Sequence, residues 1–72
     1  MDSKEAARKA CGDRIRRRRK MKGYTIYQLS RHTGFPSDWL HSVEDGKQCV
    51  RVWQAKKIRN EIGGDIGGYV CD

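Results

Sequence analysis

Residues 24–46 read YTIYQLSRHTGFPSDWLHSVEDG, and the punctuation of this stretch decides the fold. Thr25 stands three residues before Gln28, the spacing of a capping box: the hydroxyl accepts the backbone N–H of Gln28 and the amide reaches back. Ile26, Leu29 and Thr33 follow at i, i+3 and i+7, which marks one inward side of a helix. Gly34 ends that helix, where a left-handed residue costs little only for glycine. Phe35 and Pro36 bridge to a third helix over Ser37–Glu44, with proline suited to a first turn because its missing N–H has no partner there anyway. Leu40 and Val43, at i and i+3, should face the second helix. Asp45-Gly46 is a turn signal.

Outward from this stretch the pattern stays helical. Ser3 is a plausible N-cap, and residues 4–11 contain good helix formers. Gly12 interrupts them, so the first firm helix is expected at residues 13–22, with Asp13 near its positive end and Gly23 as its stop. Cys11 and Ile15 mark its apolar stripe, which is thin because Arg18 and Arg19 come next on that side. A fourth helix is expected at Val52–Ile62, with Val52, Ala55, Ile58 and Ile62 inward and Lys56, Lys57 and Arg59 outward. Gly63, Gly64, Gly67 and Gly68 then suggest a flexible tail. Alternatively, Ile66, Tyr69 and Val70 form a short edge strand at a dimer contact. The expected fold is all-α, a small bundle of four to five short helices with a glycine-rich C-terminal tail. Its domains would be a basic, helical extension (1–10), a helix-turn-helix domain (11–63) and the tail (64–72).

The 72 residues suffice for one small domain with a modest core. No apolar run approaches the roughly 18 residues that a spanning helix needs, and residues 1–5 have no signal-peptide character. A cytoplasmic protein that does not enter membranes is the expectation. Cys11, Cys49 and Cys71 are odd in number and lack metal-ligand spacing. They read as free thiols in a reducing compartment, Cys11 in the core and Cys71 in the tail. No metal or other cofactor is indicated.

Charge is the second informative feature. Residues 1–22 carry ten Lys/Arg against three Asp/Glu, whereas residues 23–72 carry six of each, so the whole net charge of +7 lies in the first third. A polyanionic partner is the usual reason for such asymmetry; a solvated charge run is the plain alternative.

At this point the chain resembles the Cro/C1-type helix-turn-helix family, the lambda-repressor-like fold. The matching residues are Gly12-Asp13-Arg14-Ile15-Arg16-Arg17, Lys22-Gly23-Tyr24-Thr25, Gln28-Leu29-Ser30, Gly34-Phe35, Trp39-Leu40 and Val43-Glu44-Asp45-Gly46-Lys47. The resemblance implies a sequence-specific double-stranded DNA-binding regulator, a repressor of the small phage or prophage kind that binds a palindromic operator as a homodimer. It implies base reading by Ser37, Asp38 and Ser42, with His41 at the same face touching DNA or idle in solvent. It implies phosphate contacts from the second helix (Thr25, Tyr27, Gln28), from the following loop (Lys47, Gln48, Arg51) and from the basic first helix (Arg16, Arg17, Lys20). It also implies a buried ion pair between Arg19 and Glu44.

Several residues depart from the family pattern. Arg18 replaces a leucine, its stem filling the space while its head reaches water. Pro36 replaces a Ser or Thr cap, and Ile26 removes a polar phosphate contact. The proline often found after the Gly46 turn is missing. Asp38 puts a carboxylate on the reading face, where its good base partner is the cytosine N4 amino group. It either makes that contact or rejects non-specific DNA, or the helix binds something else. Trp39 and Trp53 read as packing aromatics rather than base-stacking platforms. Tyr27 either bonds a phosphate or shields the core edge. The rival expectation is an antitoxin or adaptor that uses the same scaffold for a protein partner. Catalysis is not expected, since no paired carboxylates, nucleophile–base spacing or phosphate loop occurs.

Overall fold

The computed structural model describes residues 3–63, which form four α-helices and no strand. α1 spans Ser3–Met21, α2 Ile26–Thr33, α3 Ser37–Glu44 and α4 Val52–Ile62. The expected tail, with its Ile66/Tyr69/Val70 alternative, lies outside the described residues.

α1 differs most from expectation. It runs unbroken through Gly12, joining the basic extension to the helix-turn-helix domain. A mid-helix glycine costs only about 1 kcal/mol relative to alanine, and packing offsets it here. Gly12 is buried where α1 crosses the end of α3. A Cβ built on it would sit 2.4 Å from the Val43 carbonyl oxygen and 2.6 Å from that of Glu44. The missing side chain therefore lets two backbones approach.

α2 starts as its sequence dictates. Thr25 Oγ1 accepts the Gln28 N–H at 3.1 Å, and Gln28 Oε1 accepts the Thr25 N–H at 2.9 Å. α3 starts after Pro36, whose extended backbone (φ −61°, ψ 141°) offers no side-chain cap. At the start of α4, Gln54 Oε1 accepts the Arg51 N–H at 2.8 Å.

The core joins all four helices. Cys11 and Ile15 from α1 meet Leu29 from α2, Leu40 and Val43 from α3, and Ile58 and Ile62 from α4. Phe35 and Val50 enter from the connecting loops. Burying one such large apolar side chain contributes roughly 1.5–3 kcal/mol, so this small cluster carries the fold.

The core contains two further corrections. Val52, expected inward, is 52% exposed, while Val50 in the preceding loop is 2% exposed and fills the core instead. The inner arc of α4 is centred on Ile58 and Ile62, and Val52 in the first turn lies off it. Cys11 is buried, as expected, but Cys49 is disulfide-bonded. Local spacing detects metal sets and not cysteines that folding brings together.

Candidate nucleic-acid interface

α2 and α3 are joined by Gly34-Phe35-Pro36, and side chains hold this turn rigid. Gly34 adopts φ +84°, and its N–H donates to Ser30 O at 2.8 Å. Thr33 Oγ1 donates to Leu29 O at 2.8 Å and accepts the Phe35 N–H at 3.3 Å. Ser30 Oγ donates to Phe35 O. The angle between the two helices is thus set by bonds from Ser30 and Thr33, of which the sequence marked Thr33 only as inward and Ser30 only as part of the family resemblance.

α3 is fastened by its inner side. Leu40 and Val43 enter the core, and Glu44 follows as a buried carboxylate. Glu44 Oε2 accepts Arg19 Nε at 2.8 Å, and Oε1 accepts Arg19 Nη2 at 3.0 Å, a bidentate pair. Arg19 Nη1 also donates to Tyr24 O at 2.8 Å, which ties the α1–α2 loop to the same guanidinium. One ionic group therefore links the end of α3, the last turn of α1 and the entry to α2. No buried side-chain polar atom among the described residues lacks a partner.

The outer side of α3 is polar. Asp38 and His41 are exposed, while Ser37 and Ser42 are half-buried. Positions 38, 41 and 42 fall on one outward side, because successive helical residues turn by about 100°. All of these side chains are short, so a partner could approach the helix closely. Asp38 has no ion-pair partner among the described residues, unlike Asp45, whose Oδ1 meets Arg16 Nη2 at 3.2 Å.

The expected phosphate-contacting residues divide into groups. Thr25, Tyr27 and Gln28 are exposed at the start of α2, and Lys47, Gln48 and Arg51 are exposed after α3. The Thr25 hydroxyl is occupied as a cap acceptor but keeps its own hydrogen for donation. Tyr27 is 63% exposed, so it does not shield the core edge, and Arg31 lies 5.9 Å from its ring centroid. Arg31 is a cation that sequence reading missed. With Gln28 and His32 it lines a shallow open depression on α2. His32 is exposed, and its ring stacks on Tyr24 at 5.2 Å.

On α1 the expectations need correction. Arg16 is committed to acidic neighbours: its Nε meets Glu44 Oε1 at 3.3 Å, and its Nη2 meets Glu44 O at 3.4 Å and Asp45 Oδ1. A phosphate would have to compete with these groups. Arg17 is exposed about 140° round the helix from Gly12, which marks the contact with α3, so it faces away from α3. Lys20, about 80° from Gly12, stays on the α3 side. Arg18 is half-buried, and its Nε donates to Gly63 O at 3.3 Å. Its head thus caps a backbone carbonyl instead of reaching free into water.

Trp39 packs on Phe35 at 5.0 Å, and Trp53 meets the same ring edge-on at 5.8 Å. Trp53 is nonetheless 56% exposed and stands beside exposed Val52. Among the described residues no group of three or more His, Cys, Asp or Glu could hold a metal ion, and no helix is long and apolar enough to cross a membrane. No protein-family model, no curated protein and no solved structure matches this chain.

Proposed function

We propose that this domain binds duplex DNA by laying α3 in the major groove, as a sequence-specific regulator of the lambda-repressor-like helix-turn-helix kind. One observation carries the reading. α3 is locked from behind by Leu40, Val43 and Glu44, while Asp38, His41 and Ser42 face outward, with half-buried Ser37 at their edge, between exposed donors on both sides. Base reading falls to those four residues, and phosphate contacts fall to Thr25, Tyr27, Gln28, Lys47, Gln48 and Arg51, with Lys20 and Arg31 adding charge.

The face has no Arg, Asn or Gln to bind purines bidentately, so direct readout is sparse. DNA shape and bridging water then carry more of the discrimination. So small a domain gains by acting as a homodimer on a palindromic operator, with its two reading helices about 34 Å apart. A repressor of the phage or prophage type fits this size. A second reading, an adaptor or antitoxin that grips a protein, is favoured by the exposed Val52 and Trp53 at the start of α4.

Selection of bound duplexes from a random pool separates the two. The chain should enrich a motif with two-fold symmetry, and Asp38→Ala and Ser42→Ala should each change the preferred base at a defined position. No enrichment refutes the regulator. An unchanged motif in both variants means that α3 does not read it.

A further inference from the structure

α1 carries a second cationic face that the reading surface does not use. Arg14 stands about 160° from Gly12 one way round the helix and Arg17 about 140° the other way, so both sit on the side turned away from α3. Arg18 and Lys22 lie between that side and α4. Arg18 Nε bonds Gly63 O at 3.3 Å, and a Cβ built on Gly63 would lie 4.0 Å from Lys22 Cε. Arg59 is exposed one turn before Gly63 and about 40° from it round α4, which adds a fifth cation on the side of α4 that meets this seam.

The heads of Arg14, Arg17, Lys22 and Arg59 make no ion pair among the described residues. Glu5 falls toward the α3 side of α1, and Glu61 lies about 160° from Gly63 on α4. Asp13 stands one turn before Arg17 and about 40° from it, so a single carboxylate borders the face, with no ion pair to Arg17 among the described residues. By contrast, the cations nearest α3 are committed, Arg16 to Glu44 and Asp45 and Arg19 to Glu44 and Tyr24 O.

We infer that the Arg14–Arg17–Arg18–Lys22–Arg59 face binds the phosphate backbone of a second duplex segment while α3 holds the first. The domain then bridges two stretches of DNA. The inference rests on the DNA-binding reading of α3. Charge complementarity selects the occupant: duplex DNA presents about one negative charge per 1.7 Å of axis, a continuous track for five clustered cations. Among the described residues the face has no exposed aromatic ring to stack single-stranded bases.

The test uses the full chain, with the duplex selected from the random pool fixed to beads and a labelled duplex lacking its motif in solution. The unaltered chain should carry the labelled duplex onto the beads. Arg14→Ala/Arg17→Ala should keep affinity for the selected duplex within about twofold. It should lose most co-capture, with the salt slope of co-capture shallower by about 2. Binding of the selected duplex without co-capture overturns this inference alone, whereas no binding to either duplex overturns the α3 reading as well. Co-capture that survives in the variant assigns bridging to the two reading helices of a dimer and overturns the second face. Equal loss of both activities, with helicity retained, puts the only DNA surface on α1 and also overturns it. Preference of this face for phosphatidylserine-rich vesicles over duplex does the same.

Discussion

Truncation of Glu44 should nearly unfold the domain. Its side chain is 3% exposed and faces the 11%-exposed side chain of Arg19. Three guanidinium N–H groups donate to it, two from Arg19 and one from Arg16. Glu44→Ala removes the acceptors and leaves the Arg19 charge inside, where only Tyr24 O still receives it. Breaking a buried pair in this way costs about 3–5 kcal/mol. At 0.05–0.15 kcal/mol per residue, a 72-residue chain has about 4–11 kcal/mol in all. Glu44→Gln keeps the volume and one acceptor, and should cost about 1.5–3 kcal/mol. Arg19→Met/Glu44→Leu removes both charges and should be more stable than Glu44→Ala, because replacing a buried pair with apolar groups is often neutral. Urea titration followed by circular dichroism measures all three. A Glu44→Ala loss below about 1 kcal/mol, the worth of a surface pair, would refute the claim that this ion pair docks α3.

Three further perturbations probe other parts of the structure. Gly12→Ala should destabilise by about 1–3 kcal/mol or more despite alanine's better helix propensity, since its methyl would meet two backbone carbonyls; a stabilised variant in the same titration would contradict the close crossing. Thr25→Ala should cost about 1 kcal/mol through loss of the capping box, read as a lower urea midpoint with unchanged slope. For DNA, the four cations Lys20, Arg31, Lys47 and Arg51 predict a slope of log K against log salt of about −3 to −4. Lys47→Ala should make it shallower by about 0.9, and an unchanged slope removes Lys47 from the contact set.

The helices that position α3 were legible because their signals are local. Thr25 with Gln28, Gly34, Pro36 and Asp45-Gly46 act within about one helical turn, and α3 and α4 have the expected bounds. What was not legible depends on residues distant in sequence. Gly12 looks like a helix break until the carbonyls of Val43 and Glu44 are set against it. Val50 looks like a loop residue until Val52 is found to lie off the inner arc of α4. Arg16 looked available to a phosphate because its carboxylate partners stand 28 and 29 residues away. Charge counting placed the positive excess on the first helix correctly, but it could not tell the arginines committed to acids from those facing solvent.

An NMR titration of the full chain with the duplex selected from the random pool tests the role of α3 directly. The largest amide shifts should fall at residues 37–42 and at Lys47 and Gln48, with smaller ones at the start of α2. Shifts confined to α1 and α4, with residues 37–42 unmoved, would contradict the assignment of α3 as the reading helix.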